Sequence, residues 1–168
     1  PSVVSLVSEV LDVLESCEVR PCVCVVDDGS SDGTIDRLVA LRQTEPRLLV
    51  IQLSRNFGHQ AALLAGLASV SADAVITMDA DGQHPATALP AMIESWRDGA
   101  DVVNTIPEAV PGKGPGRRLS GLVFYWIFRF LSGLSLQEGT SDFRLLSRKA
   151  HEATLEAVGK RPFLRGTT

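Results

Sequence analysis

Cys22-Val23-Cys24-Val25-Val26-Asp27-Asp28-Gly29-Ser30-Ser31-Asp32-Gly33 is a short apolar run that stops abruptly in acids, serines and glycines. A run of this length bounded by turn residues reads as a buried strand leading into a loop. Ser31 or Asp32 then caps a helix expected to reach about residue 42. The same alternation continues on both sides. Upstream, Val3, Leu6, Val7, Val10, Leu11 and Leu14 recur at helical spacing. Downstream, the pattern predicts strands at 48–53, 74–78 and 101–105. Helices are predicted at 58–70, where small residues suit close packing on a sheet, and from near Pro85 to about 97. Strands and helices in this order predict right-handed crossovers and an α/β fold, with a mainly parallel sheet and helices on both faces.

Residues 107–116 hold three prolines and three glycines and read as a loop. A long apolar helix is predicted at 117–131, a short strand at 143–146 and a last helix at 149–157. There are no repeats and no low-complexity tract, and 168 residues suffice for one domain with a sizeable core. The whole of 1–168 is therefore read as a single domain.

Apolar residues make up 45% and charged residues 21% of the chain, ordinary values for a globular protein. The net charge of −4 is unevenly placed. Residues 1–110 carry 6 Lys+Arg against 16 Asp+Glu, a net −10, whereas 111–168 carry 10 against 4, a net +6. An acidic half suits a metal cation, and a basic half suits phosphates or an anionic membrane face; solvated helix faces are the plainer alternative. Cys17, Cys22 and Cys24 have neither metal-ligand spacing nor a disulfide framework, so a reducing cytosol is the expected setting. Cys22 and Cys24 are expected to act as small hydrophobes in the buried strand. No signal peptide is read at the start, and no uncharged apolar stretch reaches the roughly 18 residues of a membrane span.

In an open parallel sheet, ligands bind at the carboxyl ends of the strands. Two predicted strands end there in paired acids, Asp27-Asp28 and Asp79-Ala80-Asp81. Gathered carboxylates repel one another unless a cation or hydrogen-bond donors neutralise them. An Asp-x-Asp pair offers hard oxygen ligands suited to Mg²⁺ or Mn²⁺ on a diphosphate. A single such pair is more often a turn or helix cap, but two pairs at corresponding strand ends favour a site.

The stretches VDDGSSDGT (26–34), LSRNFGHQAALLAGL (53–67), MDADGQHP (78–85), TSDFRLLSRKA (140–150) and RPFLRG (161–166) occur in that order. Together they resemble the family-2 inverting glycosyltransferases of the type-A, nucleotide-diphospho-sugar transferase fold. The branch they most resemble is the bacterial polyprenyl-phosphate glycosyltransferases related to dolichol-phosphate mannose synthase. The resemblance implies that Asp27, Asp28, Arg55 and Asn56 lie at the nucleoside of the donor. It implies that Asp79, Asp81 and Gln83 form the site for the metal and diphosphate, with Mg²⁺ or Mn²⁺ as cofactor. Asp142 would be the base or the group that positions the acceptor. Arg117 or Arg118, with Ser120, would hold phosphate, and Arg165 would stand near the active site. A phosphate monoester is already largely ionised near neutrality, which favours positioning over proton removal for Asp142; helix capping is its structural alternative.

His59 and His84 have no third histidine at ligand spacing and read as active-site-edge or surface residues. Arg144 and Arg148, four apart, are an alternative exposed basic face. The aromatic stretch at 124–130 reads either as core or, with Arg117, Arg118 and Arg129 around it, as a helix at a membrane interface.

Departures from the family pattern matter as well. Its first central strand and the turn after it have no counterpart before Pro1, so the chain is expected to be a fragment with open edges on the strands at 22–26 and 74–78. Asn104-Thr105-Ile106-Pro107-Glu108 stands where arginines are usual. The family's carboxy-terminal membrane helices are expected to be lacking too.

The function implied is transfer of a sugar from UDP-sugar or GDP-sugar to polyprenyl phosphate at the cytoplasmic membrane face. The alternatives are direct transfer to a glycan or glycolipid, and a non-catalytic nucleotide-binding fragment. A dinucleotide dehydrogenase is disfavoured, because no G-x-G-x-x-G follows a strand. No nucleic acid partner is expected, and self-association is left open.

Overall fold

The computed structural model describes residues 2–105 and 142–160, with side chains through 157. One compact unit comprises Pro1–Val103 with Asp142–Thr168, and a second comprises Asn104–Ser141, of which only Asn104 and Thr105 are described. The predicted loop at 107–116 and helix at 117–131 lie outside the described residues.

The chain opens on α1 (Val3–Ser16), capped by Ser2, whose hydroxyl accepts from the Ser5 N–H at 3.2 Å. β1 (Val23–Asp27), α2 (Thr34–Thr44), β2 (Leu48–Gln52), α3 (His59–Ser69) and β3 (Ala74–Thr77) follow. A 3-10 turn at Ala86–Ala88 leads from Pro85 into α4 (Leu89–Arg97), and then come β4 (Val102–Asn104), β5 (Arg144–Ser147) and α5 (Arg148–Lys160). Each predicted element in the described residues is present, with boundaries shifted by a few residues. At the start of α2 the cap position is Gly33, at φ 78°, while the Asp32 carboxylate accepts from the Thr34 N–H at 3.0 Å.

β1 and β2 form the expected parallel ladder, Val23 opposite Leu48 through Asp27 opposite Gln52. A second sheet has the order β3-β5-β4, and β5 lies antiparallel to β3, Ala74 opposite Ser147. The sheet is thus interrupted between β1 and β3. Among the described strands β1 and β3 are each paired on one edge only, as expected from the sequence, whereas β5 is paired on both. This accounts for a difference from the reading of 22–26 as fully buried: Val23 to Val26 are only half-buried, and Cys22 is exposed just ahead of the strand. Burial, with Cys22 beside it, raises the Cys24 thiol above its ordinary pKa, which keeps it protonated and inert.

α1 ties the halves of this unit together. Its Val7 and Leu11 pack with Leu38 and Leu48, whereas Val10 packs with Ala86, Leu89, Met92, Ile93, Phe143 and Leu145. The helices fall into two groups, α1 touching α2 and α4, and α3 touching α5. The small residues of α3 serve the purpose predicted: a Cβ on Gly66 would stand 3.1 Å from Val26 Cγ2, so α3 lies close on β1. The buried His151 of α5 bonds through Nε2 to the Leu67 carbonyl at 2.9 Å, occupying one of the carbonyls that the end of α3 leaves unpaired.

Arg144 and Arg148 do not share a helix face. Arg144 lies in β5 and pairs with Asp142 at 2.7 Å, while Arg148 opens α5 and pairs with Asp73 at 2.9 Å. A strand-to-helix junction falls between them, and that overturns the basic-face alternative.

Leu145 has 0% exposure and stands in the larger core cluster. Leu145→Ala is expected to destabilise the domain by about 2–5 kcal/mol, the usual cost of a lost side chain plus a residual cavity. Urea unfolding followed by circular dichroism measures it, as a lower midpoint with an unchanged slope.

Candidate active site

The residues singled out by the sequence converge at the carboxyl ends of β1 and β3, at the start of α3 and just before β5. They do so in two different ways. At the end of β1 the acids are engaged by the protein itself. Asp27 is 4% exposed, and its carboxylate accepts from the Ser30 N–H at 3.2 Å. Asp28 reaches across to the loop before α3, accepting from the Phe57 N–H at 2.7 Å and the Gly58 N–H at 2.9 Å. Between these loops Gly29 has φ +79°, and a Cβ there would stand 2.7 Å from the Asn56 nitrogen. Only glycine permits both that φ and that approach. Arg55 lies over the Phe57 ring, 4.8 Å from its centroid, and Asn56 is exposed beside it.

At the end of β3 the acids face outwards. Asp79, Ala80 and Asp81 line an open cavity of about 700 Å³ together with His59 and Asp142. The turn is held from behind. The Asp79 N–H donates to His84 Nδ1 at 3.1 Å, and the His84 ring stacks on the buried Phe143, centroids 4.8 Å apart. Asp81 Oδ1 accepts from the Gln83 N–H at 2.9 Å, closing the turn on itself. His84 thus presents Nδ1 to the backbone rather than to the cavity.

Asp142 is gripped from three segments. The Thr77 hydroxyl donates to its carbonyl, Arg144 Nη2 donates to Oδ1 at 2.7 Å, and Oδ2 receives His59 Nε2 at 2.8 Å and Gln60 Nε2 at 3.4 Å. His59 Nδ1 lies 3.6 Å from Asp79 Oδ1. Loops that are far apart in sequence therefore meet around this aspartate.

The structure brings Asp79, Asp81 and Asp142 together, and places Asp27 and Asp28 at the neighbouring strand end. Gln83 is exposed in the acidic turn. Arg117, Arg118, Ser120 and Arg165 lie outside the described residues. Sequence reasoning placed His59 at an edge or on the surface and did not connect it or Gln60 to Asp142, because no spacing rule links residues more than eighty positions apart. Arg144, two positions from Asp142, was left unconnected because spacing alone does not show which way a side chain turns. Among the described residues no three His, Cys, Asp or Glu side chains close into a metal cage.

The glycosyl transferase family 2 model matches residues 7–155. The chain belongs to that family. Its curated relatives include a bactoprenol glucosyl transferase of Shigella phage SfV, 34% identical over 92% of this chain and 51% of its own length. A prophage bactoprenol glucosyl transferase homolog of Escherichia coli is 33% identical over 91% of this chain and 49% of its own. An uncharacterized glycosyltransferase of Bacillus subtilis is 34% identical over 84% and 44%. The chain spans about half the length of these relatives. The expected family and the mixed α/β fold are both met.

The bonds from Asp28 carry a testable consequence. Asp28→Ala leaves the Phe57 and Gly58 amides without their carboxylate, a loss of about 1.5–3 kcal/mol for bonds to a charged group. Amide hydrogen exchange followed by NMR is expected to show faster exchange at both positions, by about tenfold or more. Val50 and Ile51 in β2 are expected to keep their protection.

Proposed function

We propose that this protein transfers a sugar from a nucleotide-sugar donor to a polyprenyl phosphate, with inversion at the anomeric carbon. The observation that carries the reading is that the Asp79–Asp81 pair and the tethered Asp142 line one and the same cavity. The printed names of two relatives supply the acceptor class, bactoprenol. UDP-sugars and GDP-sugars are the proposed donors, and the cytoplasmic face of the membrane is the proposed place of action.

Asp79 and Asp81, with Gln83, are the proposed ligands of Mg²⁺ or Mn²⁺. These ions commonly bind through one or two carboxylates plus substrate phosphates, so an open pair suits them better than a closed cage. When bound, the cation neutralises the charge that develops on the diphosphate as it leaves. The Asp27-Asp28 turn, Arg55 and Asn56 are proposed to flank the nucleoside. The carboxylate of Asp28 acts there by fixing the 53–58 loop.

An acceptor phosphate oxygen attacks the anomeric carbon from the face opposite the diphosphate. The new carbon–oxygen bond forms as the old one breaks, and the electron pair leaves on the nucleoside diphosphate. That oxygen is already ionised near neutral pH, so the larger gain comes from alignment and charge neutralisation. Asp142 is proposed to orient the acceptor, its own charge offset by Arg144. Arg117 or Arg118, with Ser120, is proposed from motif position alone to hold phosphate, and Arg165 to stand near the active site.

Three experiments test this reading. The full chain in detergent, offered UDP- and GDP-hexoses with a short polyprenyl phosphate, is expected to transfer at least one sugar. Transfer to a free glycan but not to the lipid phosphate would overturn the acceptor assignment. Donor affinity by calorimetry is expected to fall at least tenfold on chelation. Asp81→Asn is expected to lower kcat at least a hundredfold while shifting the thermal midpoint by only about 1 °C, since Asp81 is exposed.

A further inference from the structure

We propose that His59 is a positioning residue for the transfer reaction, fixing the direction of the Asp142 carboxylate and its separation from Asp79. The inference rests on the reading of Asp142 as the acceptor-side group. The supporting geometry involves four side chains. A carboxylate can only accept, so the 2.8 Å contact between His59 Nε2 and Asp142 Oδ2 places the ring hydrogen on Nε2. Arg144 binds the other oxygen at 2.7 Å. With both oxygens tethered from opposite sides, one from α3 and one from β5, rotation of the carboxylate about χ2 is stopped. Without His59, Oδ2 would keep, among the described residues, the 3.4 Å contact from Gln60.

The other face of the ring is turned to the donor side. Nδ1 stands 3.6 Å from Asp79 Oδ1, too far for a hydrogen bond but close enough to keep the two carboxylates apart by the width of the imidazole. His59 thus spans the cavity wall between the acid proposed for the diphosphate and the acid proposed for the acceptor. Its side chain is 52% exposed, so it is not a core residue retained for packing. An error of about 1 Å in the alignment of reacting groups costs about a hundredfold in rate, which gives such a spacer its leverage.

The test compares His59→Ala, His59→Asn and His59→Gln in the full chain. The donor is whichever UDP- or GDP-hexose the wild type transfers, and the acceptor is a short polyprenyl phosphate. Gln can present an amide N–H near the position of Nε2, whereas Asn is too short. The Ala and Asn variants are expected to lose about 10–100-fold in kcat, with donor affinity by calorimetry within about twofold of wild type. The Gln variant is expected to recover most of the loss. In an Asp142→Asn background, His59→Ala is expected to change kcat less than about threefold, because the group it positions is gone.

Equal kcat in all three variants and wild type would overturn the proposal, as would a full additional loss in the Asp142→Asn background. A fall in thermal midpoint common to all three, with no recovery by Gln, would assign His59 a structural role instead. If the wild type transfers sugar and Asp142→Asn does so equally well, it is the reading of Asp142 that fails. If the wild type transfers no sugar to the lipid phosphate, the proposed function fails, and this inference with it.

Discussion

The carboxylate of Asp28, accepting from the Phe57 and Gly58 amides, holds the site together. It fixes where the loop after β2 ends and where α3 begins. The next residue in the chain is His59, and the one after is Gln60, both of which reach Asp142. A shift in the start of α3 would carry them away from the cavity together. Gly29 and Gly66 make the close approach sterically feasible, one beneath Asn56 and the other against Val26. The first acidic motif therefore acts on the cavity through α3, although its own carboxylates are turned towards the protein.

The acids divide according to what neutralises them. Asp27 and Asp28 are satisfied by backbone N–H groups and stabilise loops. Asp142 is engaged by side chains from α3 and β5, so it is held in place and still on the cavity wall. Asp79 and Asp81 are fixed by their own turn and by the His84–Phe143 stack, and they direct oxygen towards the opening. Several negative groups around one cavity repel one another, and a cationic or strongly donating ligand relieves that repulsion.

Rigidity behind the cavity comes from the packing. Phe143, 2% exposed, belongs to the larger core cluster and also carries the His84 ring. Core packing and the geometry of the acidic turn are consequently one structure. α1 performs the corresponding task across the interrupted sheet, since Val7 and Leu11 on one side and Val10 on the other anchor in separate apolar clusters. The ladders of β1–β2 and β3–β5 are joined through this helix layer, among the described residues, rather than by hydrogen bonds between β1 and β3.

The helical spacing of α1, the apolar runs of β1, β2 and β3 and the Pro85 signal before α4 are local patterns, and the elements follow from them by periodicity and turn chemistry. The open edges of β1 and β3 were legible as well, from the family resemblance, which sets a further strand between them. So was the gathering of Asp79, Asp81 and Asp142 in one region, since strand ends and the motif resemblance both point there, and the three line one cavity. The partners of those acids were not legible. That Asp28 would be occupied by amides about thirty residues away, and that His59 would stand between Asp79 and Asp142, depend on long-range approach. Sequence spacing encodes which face of an element a residue occupies. Which distant loop meets that face is decided only when the helices pack on the strands, and there a glycine or a buried ring sets the last few ångströms.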